Sequence, residues 1–123
     1  MVTSEIMTSE PATAERLVAL LEQEGFGLQT AVWVVEEEGR GRLYLVPREH
    51  NDDELKQTIR VAYVISAHKD ELPGRHDLLY SVVDSNHPII RAVLTAAPKA
   101  GKVRGAYSNG TYVDEAYVFP TAA

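Results

Sequence analysis

The hydrophobic positions of this chain change period several times, and each change predicts an element. Ala14, Leu17, Val18 and Leu21 recur at helical spacing, so a helix is expected from about Glu10 to Glu24. Ser9 serves as its expected N-cap, Pro11 falls in its first turn and Gly25 supplies a left-handed stop. Residues 1–9 are polar without a period and are expected as a disordered tail. Ala31-Val32-Trp33-Val34-Val35 then reads as a strand that is apolar on both pleat faces, hence central and covered on both sides. Leu43-Tyr44-Leu45-Val46 is its hairpin partner, ended by Pro47. A two-residue loop at Gly39-Arg40 would oppose Val35 to Tyr44 and Glu37 to Arg42, a better match than a loop at Glu38-Gly39.

The second helix is expected after an Asn51 cap, with Asp52, Asp53 and Glu54 on the positive end of its dipole. Leu55, Ile59, Ala62, Tyr63 and Ser66 share one face and are expected to be buried, with Val61, Val64 and Ile65 widening the apolar surface. A third strand follows at Leu78–Val83. Asp84-Ser85-Asn86 then offers capping oxygens to a short helix from His87-Pro88, with Ile90, Val93, Leu94 and Ala97 as its stripe and Pro98 as its stop. Ser108-Asn109-Gly110-Thr111 specifies a type I′ turn, because both central residues must take positive φ. That register opposes Tyr107 to Tyr112, Ala106 to Val113 and Arg104 to Glu115. The expected fold is a single α+β domain over residues 10–123. Its order is α-β-β-α-β-α-β-β, with helices packed on one mixed or antiparallel sheet.

Composition narrows what such a domain can do. With 123 residues, no Cys and 24% charged residues, the chain is an ordinary globular length and mix. The lack of Cys excludes disulfides, iron–sulfur clusters, Cys-ligated zinc and a thiol nucleophile. No cofactor is expected, no apolar run is long enough to span a bilayer, and a cytoplasmic setting is the default expectation.

The net charge of −6 is the sum of unlike parts. Residues 1–54 hold 12 acids and 4 bases, and residues 55–123 hold 6 acids and 8 bases. From Ser85 to Val113 there is no acid, while Arg91, Lys99, Lys102 and Arg104 all lie there. Lys99, Lys102 and Arg104, in a glycine-punctuated stretch near several tyrosines, form the candidate phosphate or nucleic-acid contact. The spacing is not that of a Walker loop, and the acidic total opposes a nucleic-acid role.

Asp84 and His87 are the candidate acid–base pair, at a strand end that leads into a helix. Capping of the third helix accounts for the same residue types. His68, Asp70, Glu71, His76 and Asp77 cluster in sequence but match no metal-ligand spacing, and they read as a solvated loop with no metal.

Six Tyr against two Phe favours aromatics with one polar end. Tyr107, Tyr112, Tyr117 and Phe119 put large groups on both faces of the terminal hairpin, making them the candidate interface. The resulting expectation is a non-enzymatic protein-binding module that self-associates, with a homo-oligomer or another protein as partner. The phosphate or nucleic-acid binder and the Asp84/His87 enzyme are the alternatives.

Overall fold

The computed structural model describes residues 2–36, 40–48, 54–97 and 99–121, residues 2–11 and 54 through their backbone alone. The elements run α1 (Val2–Gln23), β1 (Leu28–Val35), β2 (Gly41–Pro47), α2 (Glu54–Ala67), β3 (Leu79–Val82), α3 (Pro88–Ala96), β4 (Gly101–Ser108) and β5 (Thr111–Phe119). Two 3-10 turns, Lys69–Glu71 and Arg75–Asp77, lie between α2 and β3. The order is the α+β order read from the sequence.

The five strands form one mixed sheet in the order β3-β2-β1-β5-β4. β1 is central, as its two-faced apolar run requires, and pairs antiparallel with β2 and with β5. β2 and β3 are parallel, with α2 as the crossover between them. The two faces of β1 feed two cores. Ala31 and Trp33 join Leu17, Leu21, Leu43, Leu45, Val61, Val64 and Phe119 under α1 and α2. Val32 and Val34 join Tyr44, Val46, Ile90, Val93, Val103, Val113 and Val118 under α3.

Three features depart from the sequence reading. α1 is helical from Val2, eight residues before the expected start, so residues 2–9 continue the helix where a tail was expected. Pro11 consequently lies within the helix, where its missing N–H leaves the carbonyl of Met7 without the usual donor. The helix ends as anticipated. Gly25 has φ 82°, and Phe26 N–H donates to Leu21 O at 2.8 Å while Gly25 N–H donates to Glu22 O at 3.1 Å.

The first hairpin takes neither register considered above. Val35 opposes Gly41, Val34 opposes Arg42 and Val32 opposes Tyr44, and Glu36 N–H donates to Arg40 O at 2.6 Å. The cause is steric. The Trp33 indole lies over Gly41, so closely that a Cβ there would overlap the ring. The loop residues 37–39 lie outside the described residues.

α2 turns the other way from expectation. Val61 and Val64 are buried, while Leu55, Ile59 and Tyr63 are 68%, 58% and 75% exposed. Ala62 and Ser66 are exposed with them. Two apolar stripes were available, and the β-branched one faces the α1 side of the core. The expected Asn51 cap, its acidic neighbours Asp52 and Asp53, and the Pro98 stop all lie outside the described residues.

Candidate functional site

The terminal hairpin is the part of the sheet with one covered and one bare face. α3 packs on β4 and β5 from one side, burying Val103, Ala106, Val113, Ala116 and Val118. Among the described residues, α1 and α2 pack on the opposite side of the sheet chiefly over β1, β2 and β3, and Lys102, Arg104, Tyr107, Tyr112, Asp114 and Tyr117 on the outer face of β4–β5 are exposed.

The residues on that outer face follow from the register. Lys102 opposes Tyr117, Arg104 opposes Glu115 and Tyr107 opposes Tyr112. The inward-facing residues change phase once: Val103 to Ala106 is a step of three, matched by Val113 to Ala116 on the partner strand. Gly105, at φ 64°, absorbs the change on β4, and Asp114-Glu115 absorbs it on β5. Both acids can therefore face outward, which resolves the conflict of adjacent acids in a strand. The Tyr112 hydroxyl lies 3.8 Å from where a Cβ of Gly105 would stand and donates to Asp114 Oδ1 at 3.3 Å. Lys102 Nζ reaches diagonally to Glu115 Oε1 at 3.2 Å. Beyond them, the type I′ turn forms as the sequence requires, with φ 48° at Asn109 and 84° at Gly110.

This face gathers three of the four expected interface residues. Tyr107, Tyr112 and Tyr117 are 65%, 61% and 37% exposed. Phe119 is not among them. It opposes Ala31 of β1, under the helical layer, and is 3% exposed with its ring edge-on to Tyr117 at 5.1 Å. The basic stretch contributes to the same face: Lys102 and Arg104 belong to strand β4, interleaved with Glu115 and Asp114, and Lys99 is exposed just before the strand.

Asp84 and His87 are drawn into structural work instead. Asp84 Oδ1 accepts from Asn86 N–H at 2.7 Å, closing a local turn. His87 is the N-cap of α3: its Nδ1 accepts from Ile89 N–H at 3.2 Å, and its ring packs on Tyr44 with centroids 5.3 Å apart. A general base needs a free ring lone pair, and a neutral imidazole has only one. Here Nδ1 is an acceptor, so the capping bond and the acid–base role are mutually exclusive.

The charged segment after α2 also separates. His68 turns toward Glu24 and Glu71, with ring nitrogens 2.7 Å from a carboxylate oxygen of each. His76 and Asp77 instead line an open cleft of about 200 Å³ with Arg40, Gly41 and Leu79. That is below the range of about 300–1,000 Å³ usual for ligand pockets. Among the described residues, no three His, Asp or Glu side chains are grouped to hold a metal ion, and no helix is long and apolar enough to cross a membrane.

The exposed row Leu55, Ile59 and Tyr63 on α2 is the surface feature that the sequence reading missed as a surface. Its spacing was visible, but helical period alone does not say which of two stripes faces inward. Comparison with protein-family models, with curated proteins and with solved structures returns no match to this chain.

Proposed function

We propose that the protein is a non-enzymatic protein-binding module that self-associates, with the outer face of β4–β5 as its working surface. The observation that carries this reading is one bare sheet face holding Tyr107, Tyr112 and Tyr117 together with Lys102, Arg104, Asp114 and Glu115. Tyr and Arg are the residue types that concentrate binding energy at protein interfaces, since each offers a large flat surface with a polar end. Side chains carried on strands also hold their positions better than loop residues would.

The alternatives receive less support. A phosphate or nucleic-acid contact through Lys99, Lys102 and Arg104 has to tolerate Asp114 and Glu115 on the same face, and Lys102 is already paired with Glu115. An enzyme using Asp84 and His87 would have to give up the cap of α3.

The test is sedimentation equilibrium across a wide concentration range, joined to hydroxyl-radical footprinting of tyrosines. Concentration-dependent association with protection of Tyr107, Tyr112 and Tyr117 is expected. A species that stays monomeric at the highest attainable concentration overturns self-association. Retention on immobilised oligonucleotide at low salt, lost in Lys102→Glu, would favour the nucleic-acid reading instead.

A further inference from the structure

Resting on that reading, we infer that the occupant of the β4–β5 face is a second copy of the same face, seated about a two-fold axis parallel to the strands. The argument comes from the cross-strand pairs. An axis running between β4 and β5, in the plane of contact, places β4 of one copy over β5 of the other without reversing strand direction. Each residue then sits over the copy of its own cross-strand neighbour. Arg104 faces Glu115 of the second copy, Tyr107 faces Tyr112 of the second copy, and Lys102 faces the Tyr117 ring of the second copy. These are an opposite-charge pair, an aromatic pair and a cation–π pair, each formed twice.

A face-to-face two-fold perpendicular to the strands fails on charge. It lays β4 over β4 and β5 over β5 with direction reversed, stacking a strand whose charges are Lys102 and Arg104 on its like and one whose charges are Asp114 and Glu115 on its like. Like charges across an interface are a strong barrier to that arrangement. The formal charges of the face sum to zero, two cations against two anions, so the face brings no net charge to the contact. In-chain contacts also hold the face ready: the Lys102–Glu115 ion pair and the Tyr112–Asp114 hydrogen bond fix four of its side chains.

Size sets the expected strength. Two strands of this length cover roughly 10 Å by 27 Å at ordinary strand spacing and rise, on the order of 300 Å². Stable interfaces bury about 800 Å² per partner. The dimer is therefore a concentration-dependent one, in rapid exchange with monomer.

Charge reversal tests the arrangement. Arg104→Glu gives a face with Glu at 104 and 115, and Glu115→Arg gives one with Arg at both. Each variant alone should dimerise at least tenfold more weakly than wild type. Mixed one to one, the two should form a heterodimer, because every 104 position then faces an opposite charge at 115. The in-chain mismatch persists in both chains, so recovery on mixing reports the contact between copies alone. Thermal melts confirm that each variant is folded. Should either charge variant fold poorly, Tyr107→Asp at the exposed hairpin tip provides a second disruption of the same contact. Recovery on mixing supports the proposal. Wild-type dimers that ignore all three substitutions place self-association elsewhere, with the α2 row as the next surface to examine, and overturn this arrangement alone. A monomeric wild type overturns self-association itself.

Discussion

The indole of Trp33 covers Gly41 on the neighbouring strand. A Cβ added at Gly41 would overlap ring carbons Cζ2 and Cε2 and stand 2.7 Å from Cη2. The contact is diagonal, since Trp33 directly opposes Leu43. It explains why the first hairpin takes a register that charge pairing alone does not favour. Trp33 is 4% exposed in the core under α1 and α2, and only a residue without a side chain lets it lie flat there.

Gly41→Ala should accordingly destabilise the fold by about 1–3 kcal/mol, the usual cost of overpacking a close-packed site. Chemical denaturation measures it. An unchanged midpoint would mean that the ring moves aside freely and that the register is held by other contacts.

Asn109→Val should weaken the terminal hairpin by about 1–2 kcal/mol, because a β-branched residue resists the left-handed region that Asn109 occupies at φ 48°. Hydrogen exchange at β4 and β5 should rise ahead of exchange at β1. If the proposed dimer forms through this hairpin, the same variant also loses concentration-dependent association.

The two hairpins show how legible the fold is. Asn-Gly in the second hairpin carries its conformation in the residues themselves, so the Tyr107–Tyr112 register could be read directly. The first hairpin has no such signal, and its register depends on a contact between residues eight apart in sequence. The candidate site follows the same division. The Tyr107–Tyr112 pair was legible from the turn, but the sequence put the aromatics on both faces: Tyr117 joins that pair only through the phase change between Val113 and Ala116, and the burial of Phe119 depends on β5 pairing with β1.

Helix α2 offers the plainest test of which stripe faces inward. Ile59→Ser should change stability by no more than about 0.5 kcal/mol, since Ile59 is 58% exposed. Val61→Ala, at a fully buried position, should cost about 1–3 kcal/mol through lost burial and an unfilled space. A reversal of the two effects would show that the Leu55, Ile59 and Tyr63 stripe of α2 faces the core.

The corner between α1 and the end of α2 should make stability depend on pH, and the sign follows from His68. Its Nε2 lies 2.7 Å from Glu24 Oε1 and its Nδ1 2.7 Å from Glu71 Oε2. A neutral imidazole has one N–H, so only the doubly protonated ring donates to both carboxylates. The bond to Glu24, then the bond to Glu71, raise the His68 pKa above its ordinary value. Glu71 is held below the usual carboxylate range by His68 and then by Arg16, which also hydrogen-bonds to it from α1. Thr13 of α1 donates to Pro73 O at 2.6 Å and secures the same corner independently of pH. The His68 contribution is complete below the unfolded imidazole pKa and disappears as pH rises through the raised folded value. The Glu71 contribution is complete above the unfolded carboxylate pKa and disappears as pH falls through the lowered folded value. Stability should therefore step down on the alkaline side of the ordinary imidazole range, and His68→Gln, which cannot titrate, should lack that step. Denaturation midpoints of both proteins, taken from about pH 5 to about pH 9, decide it. Parallel curves for the two would show that His68 does not hold the carboxylates of Glu24 and Glu71 together in solution.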